Sequence, residues 1–307
     1  MRLTVPDAIV FLILVAVPAN TEPLRSGLPI VADAAIEALP GAHLPDLQPV
    51  IGRSGNLRAL IGLPAAFNDD PALQPLVSRV PFTEPGVHAL GLAGPDGDSL
   101  VIVSMAAFPE QRPEFSSGYR TGLWPTTGLA AQNPHYTPPA GFISVTSENQ
   151  ATAVSKHFRL QDFLTHDQQG VWPKVLVLRP TLVDKLELIS EALAARGLPD
   201  QLHVMSGFRT PQYNALGVGA NGGRAKDSRH MYGDAADVFV DADGDGRMDD
   251  LDGDGRVTLS DAKVLFDVAE SVEAAHPELV GGLSAYPATT AHGPFVHVDT
   301  RGNRARW

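Results

Sequence analysis

Apolar and polar positions alternate most regularly in two short stretches near the C-terminus, Ala236–Val240 and Phe295–Asp299. With a period of two, Val238 and Val240 turn to one face and Asp237 and Phe239 to the other. Val296 and Val298 likewise pack inward, while His297 and Asp299 point together to the opposite face. The pattern predicts two strands presenting polar groups to one cleft. The clearest helical pattern runs from Pro180 to Arg196, with Pro in its first turn, an apolar stripe through Leu182, Leu186, Ile189 and Leu193, and Gly197 as its stop. Leu259 to about Ala275 reads as a second amphipathic helix, and Phe158, Leu160, Phe163 and Leu164 suggest a short one within 155–164. Leu202–Met205 reads as a strand delivering Ser206-Gly207-Phe208-Arg209-Thr210, and Phe142–Thr146 as another.

The first half is punctuated differently. Val87–Leu92 and Ser99–Ser104 flank Gly94-Pro95-Asp96-Gly97, a hairpin signal, within a region rich in Pro and Gly from about Ala32 to Thr137. Pro138-Pro139-Ala140-Gly141 marks a boundary. The expected fold class is α+β: a small antiparallel sheet flanked by helices over 141–307, preceded by a linker and β-rich accessory region over 20–140. Ala8–Ala19 is an apolar run of twelve residues, too short for a confident span. Residues 1–19 therefore read as a signal peptide, with Val17-Pro18-Ala19 offering a cleavage site, or as a membrane anchor.

Composition adds two constraints. The 307 residues are 44% hydrophobic, enough for a sizeable core, and contain no cysteine, which excludes disulfides and thiolate metal sites. The net charge of −12 is concentrated: Asp241–Asp261 holds eight aspartates against Arg247 and Arg256, a local balance of −6. Nucleic acid is disfavoured as a partner, because the only dense basic cluster, Arg301, Arg304 and Arg306, is short and terminal.

Chemistry is expected where the two alternating strands meet. His230, Asp237 and His297 supply two imidazoles and one carboxylate, a set that leaves the fourth tetrahedral position of Zn²⁺ open. Gly233, Ala235 and Ala236 allow the loop bearing His230 to fold closely onto the strand bearing Asp237. Taken singly, a His and an Asp seven positions apart are weak evidence.

The motifs together are more specific. S-R-H-x-x-G-x-A-x-D at Ser228–Asp237 and F-V-H-V-D at Phe295–Asp299, with S-G-F-R-T upstream at Ser206–Thr210, resemble the zinc D-Ala-D-Ala carboxypeptidase and murein endopeptidase family, which shares its fold with the hedgehog signalling domain. The similarity extends from about Gly141 to Trp307. It implies a hedgehog/DD-peptidase-like fold, a zinc metallopeptidase acting on peptidoglycan peptides, and a location in the cell envelope, periplasmic or secreted. It also implies that His230, Asp237 and His297 bind zinc and that Arg209 lies beside the substrate carboxylate or scissile carbonyl. Many relatives carry Glu three residues before the last His ligand; this chain has Pro294 there. His292 is then the preferred base, with Asp299 second or acting as a partner that orients a ligand. The rival reading is a cell-wall-binding or structural module that keeps zinc without hydrolysis.

The acidic insert has its own periodicity. Asp241, Asp243 and Asp245, and again Asp250, Asp252 and Asp254, are spaced as in EF-hand-type loops, each followed by Gly at the sixth position. The second loop continues through Arg256, Thr258 and Asp261, filling every position with Asp where Glu usually closes the loop. Ca²⁺ is the expected ligand.

Overall fold

A computed structural model describes residues 44–80, 84–94, 97–109, 118–128, 132–219 and 223–307. The N-terminal run at 1–19 lies outside them. Among the described residues, no helix is long and apolar enough to cross a membrane.

The described residues start with helix α1 (Leu44–Ile51), and strands β1 (Ala59–Gly62), β2 (Gly86–Ala93) and β3 (Ser99–Ser104) form a sheet of order β1-β3-β2. The hairpin β2–β3 is antiparallel, as its turn residues predict, and β1 joins it in parallel. Strands β4 (Ala106–Ala107), β5 (Gly141–Val145) and β6 (Lys174–Leu176) make a second sheet. Val101 and Val103 of β3 belong to the same apolar cluster as Ile143 and Val145 of β5. One apolar cluster thus draws side chains from both sides of Pro138–Gly141.

Helix α2 (Pro180–Ala195) follows, then β7 (Leu202–Ser206), β8 (Ala235–Val240), helix α3 (Leu259–Ala275), β9 (Gly282–Tyr286), β10 (Phe295–Asp299) and β11 (Ala305–Arg306). These five strands form one sheet of order β11-β9-β10-β8-β7, antiparallel except where β11 runs parallel to β9. The architecture is α+β. Val238, Val240, Val296, Val298 and Leu283 share one core with Leu186 and Ile189 of α2 and Leu265 and Val268 of α3. Helices therefore cover one face of this sheet, and the alternation sends Asp237 and His297 to the other. In register, His297 stands directly opposite Asp237.

The 155–164 segment is less helical than its apolar spacing suggests. Only Leu160–Phe163 makes a 3₁₀ turn, in which Asp162 accepts a hydrogen bond from the Arg159 backbone N–H. The rest is held by backbone pairing, such as Val154 N–H to the Phe158 carbonyl at 2.9 Å. Local pairing here outweighs the helical period.

Candidate metal centre

His230 sits in a turn of 3₁₀ helix, Arg229–Tyr232, which ends at Gly233 with φ of 70°. A Cβ at Gly233 would lie 2.4 Å from the Val177 carbonyl oxygen, so glycine is required both by the left-handed backbone and by the close approach. The turn is clamped from both sides. Arg229 and Asp234 form a buried two-point ion pair, with Nε donating to Oδ1 at 3.0 Å and the terminal nitrogen to Oδ2. Arg229 also donates to the His135 carbonyl at 2.6 Å and lies over the Tyr136 and Tyr232 rings. This pair was not singled out in the sequence, although both residues flank His230 within one motif.

Gly207 supplies the next contact. A Cβ there would meet the Phe163 backbone at 2.6 Å, so this glycine too permits a close approach. Its carbonyl oxygen lies 2.7 Å from Nδ1 of His230. Donation from Nδ1–H to that carbonyl fixes the tautomer and leaves the Nε2 lone pair pointing inward.

Three atoms converge there. His230 Nε2 is 3.3 Å from His297 Nδ1 and 3.3 Å from Asp237 Oδ1, and His297 Nδ1 is 3.0 Å from Asp237 Oδ1. A tetrahedral ion with bonds of about 2.0–2.1 Å separates its ligand atoms by about 3.3 Å. The donor set is therefore of the right size and chemistry for zinc, with all three residues buried.

Electrostatics agree with the donor assignment. Burial pushes the His230 pKa down, against the pull of Asp237, and keeps the ring neutral and ready to donate a lone pair. Burial alone would raise Asp237, but His230, His297 and Arg209 hold its carboxyl well below the usual range. His297 is the reverse case: burial lowers its pKa, yet hydrogen bonds to Asp237 and Asp299 outweigh it and raise the value. Its Nδ1 proton must leave before the ring can ligate, so metal affinity falls as pH falls.

The supporting groups are deeper. Asp299 Oδ2 lies 3.1 Å from His297 Nε2, on the side of the ring away from the converging atoms. Asp299 also accepts from the Gly282 N–H at 2.7 Å and from Arg301 through Nε and a terminal nitrogen. Burial alone would raise its pKa, but hydrogen bonds from His297 and Arg301 outweigh it and lower the value strongly. Arg209 donates from Nε to Ser206 Oγ at 2.9 Å and from a terminal nitrogen to Asp237 Oδ2, so its side chain rests on the carboxylate whose other oxygen faces the two imidazoles. The Trp307 ring lies 5.4 Å from the His297 ring, centroid to centroid, with its indole N–H donating to Tyr286 at 2.5 Å.

His292 stands apart from this cluster. It is half-buried on the turn before β10, packs edge-on against Phe295 at 5.0 Å, and places Nδ1 2.8 Å from the Gly293 carbonyl. It lines a cleft of about 930 Å³ together with Phe239, Met205, His203 and His166. His166 and His203 gave no signal in the sequence, because neither belongs to a motif; the fold alone brings them to this face.

In the acidic insert, carboxylates gather in two triplets: Asp241, Asp243 and Asp249, and Asp250, Asp252 and Asp254. Asp249, at the ninth position of the first loop, takes the place expected of Asp245. Arg256, Thr258 and Asp261 stay outside the second triplet. Thr258 caps α3, and Asp261 is buried with Oδ2 accepting from the Thr258 N–H at 2.7 Å and Oδ1 from the Leu251 N–H at 2.8 Å. The helix start competes for the carboxylate that would close the loop.

Two neighbouring strands and the turn before them thus bring two imidazoles and one carboxylate together as a group that could hold a metal ion. Residues 153–245 match the family described as peptidoglycan L,D-endopeptidase MepK, a stretch that contains Arg209, His230 and Asp237. Over this stretch the chain is similar to the murein endopeptidase and DD-peptidase family of metallopeptidases. No curated protein and no solved structure matches it.

Proposed function

We propose that the protein is a zinc-dependent endopeptidase that hydrolyses peptide bonds in peptidoglycan cross-links, with His230, Asp237 and His297 as the metal ligands. The convergence of their three donor atoms within 3.0–3.3 Å carries this reading. The description of the matched family favours an L,D bond over carboxypeptidase trimming and a location in the cell envelope, periplasmic or secreted. The antiparallel pairing of the two ligand-bearing strands, with His297 opposite Asp237, supports a hedgehog/DD-peptidase-like fold for 141–307.

Zinc bound there supplies Lewis acidity toward a peptide carbonyl and toward water. The chain's own groups do the rest. Arg209 steadies Asp237 and has further N–H groups to donate to a substrate carboxylate or to the oxygen on which negative charge develops. Asp299 orients His297 and is itself held by Arg301 and Gly282, so it acts as a positioning residue and His292 is the better base. With Nδ1–H given to the Gly293 carbonyl, His292 keeps its Nε2 lone pair for a proton. His292→Ala is expected to lower turnover by about 10²- to 10⁴-fold with zinc still bound, the range of general-base loss. Full activity in that variant would move the role elsewhere.

Digestion of purified peptidoglycan, with products identified by mass, tests the reading: separated stem peptides are expected. Intact cross-links after prolonged incubation would favour the non-catalytic wall-binding alternative.

The two aspartate triplets are read as Ca²⁺ sites that order the insert. Met248 and Leu251 of the insert are buried in the main core, so ordering the loops stabilises the domain. Calcium is expected to raise the melting temperature relative to a chelator that spares zinc. Superimposable melts would refute calcium binding, and an unchanged response in Asp250→Ala/Asp254→Ala would refute the second loop.

A further inference from the structure

The cleft beside the metal centre reverses the charge of the protein around it. The chain carries −12 overall, yet among the described residues the only carboxylate lining this cleft is Asp162, which already accepts a hydrogen bond from the Arg159 N–H at 2.8 Å. Against it stand Lys174, Arg247 and four histidines, 157, 166, 203 and 292. Lys174 is occupied: its ammonium donates to the Gln168 carbonyl at 2.8 Å and lies 5.0 Å from the Trp172 ring. His157 is paired with Glu187 at 2.8 Å.

Arg247 is different. It springs from the acidic insert, where its backbone N–H donates to Asp245 at 2.8 Å, and has eight aspartates for neighbours in the chain. Its guanidinium nevertheless pairs with no carboxylate among the described residues, and the residue lines the cleft instead. An exposed cation that takes none of the carboxylates beside it in the chain and lines a cleft is placed to bind an anion from outside. Guanidinium matches a carboxylate geometrically through paired N–H donors.

The position of the cleft relates this anion to the reaction. Phe239 forms part of the lining and lies two residues from Asp237 on the same face of β8, a separation of about 7 Å. Met205 adjoins Ser206, which stands opposite Asp237 across the sheet. His203 packs on Phe239 at 4.9 Å. His166 links the two ends: its pKa is lowered by burial and by the nearby Arg209, Arg224 and His203. A peptide held at the metal centre therefore reaches this lining with a group borne one or two residues from the cleaved bond.

We propose that this cleft is a carboxylate subsite, in which Arg247, on a lining shared with His203 and Phe239, selects stem peptides that bear a free side-chain carboxylate over those in which it is a carboxamide. The proposal rests on the peptidase reading above and names the chemical class of its substrate.

The test uses the zinc-loaded full chain and two stem peptides identical except for one carboxylate replaced by a carboxamide. Binding is read by stopped-flow tryptophan fluorescence before turnover, since Trp172 lines the cleft, and hydrolysis is followed separately. Wild type is expected to bind the carboxylate peptide about tenfold or more tightly, the worth of one charge-assisted contact. Arg247→Gln is expected to lose that preference with affinity for the carboxamide peptide unchanged, and Arg247→Lys to keep most of it. Equal affinity of wild type for both peptides overturns the proposal. So does an Arg247→Gln variant that weakens both peptides alike, which would mark a structural role in the acidic loop. Carboxylate preference without hydrolysis would overturn the peptidase reading and leave the subsite standing. No binding of either peptide would overturn both.

Discussion

The His230→Ala/His297→Ala variant is expected to purify with almost no zinc and to lose turnover by about 10³-fold or more, several kcal/mol of transition-state stabilisation. The expectation follows from geometry. Two of the three converging donor atoms belong to these imidazoles, and neither has a substitute within the cluster. Asp237 alone cannot hold the ion, because one of its oxygens is already engaged by Arg209 and a single carboxylate oxygen is a weak zinc site. His230 stands on the Gly233-terminated turn clamped by Arg229 and Asp234, so that turn keeps its shape without the ring. Metal analysis by mass spectrometry, alongside circular dichroism to verify folding, checks the result. Near-stoichiometric zinc in the folded double variant would remove these residues from the metal site.

The largest loss of stability is expected at a position outside the cleft. Glu273 on α3 binds Lys185 on α2 at 2.5 Å, the Gly281 N–H at 2.9 Å, and Arg306. Lys185 has no exposed surface, and among the described residues its only other partner is the Asp299 carbonyl at 2.7 Å. Removing the carboxylate in Glu273→Ala strands a buried ammonium and is expected to cost about 3–5 kcal/mol. Each kcal/mol moves the melting temperature of a domain this size by about 2–4 °C. The pH dependence has a definite sign. Burial pushes the Lys185 pKa below its ordinary value, against the pull of Glu273, so the unfolded chain binds that proton more readily. Stability then rises with pH between the depressed folded value and the ordinary lysine value. Loss of Glu273 deepens the depression, and the deficit of the variant is expected to narrow toward about pH 10. Thermal melts at several pH values measure this; a variant as stable as wild type, or a deficit that widens with pH, would contradict it.

The same network explains why the C-terminal arginines are poor candidates for binding nucleic acid. Arg301 is spent on Asp299, Arg304 on Glu270, and Arg306 on Glu270 and Glu273. In sequence they look like a basic cluster, because their acidic partners lie in β10 and α3. The pairings of Arg304 and Arg306 span more than thirty residues and leave no local trace, whereas Asp299 stands two residues before Arg301.

What was legible in the sequence was mainly direction. The alternation in 236–240 and 295–299 correctly separates Val238, Val240, Val296 and Val298, packed toward the helices, from Asp237 and His297 on the opposite face. It carries no register. That His297 stands opposite Asp237 follows from the pairing of β8 with β10, to which β9 also pairs, and β9 itself had no clear strand signal. The long helices were readable to within a residue, since Pro180 and Gly197 bracket the first and the apolar period bounds the second. Groups that support a site from a distance were not readable: the Gly207 carbonyl on His230, the Arg229–Asp234 clamp, and the His166 and His203 side chains at the cleft. Each depends on contacts between segments far apart in the chain or on backbone atoms that every residue has. In the acidic insert, spacing located the loops correctly as Asp-Gly turns. It could not foresee that Asp261 would be drawn to the start of α3, or that Asp249 would join the first triplet.

The central claim is that one zinc ion, held by His230, Asp237 and His297, is required to cut peptidoglycan peptides. Its most direct test is to strip the wild-type protein with a chelator and titrate zinc back while following release of stem peptides from purified, cross-linked peptidoglycan by mass spectrometry. Hydrolysis is predicted to vanish on stripping and to return in full at one equivalent of zinc, with no recovery in the His230→Ala/His297→Ala variant. Undiminished hydrolysis by the stripped protein, or full recovery of the double variant at one equivalent, would contradict the account.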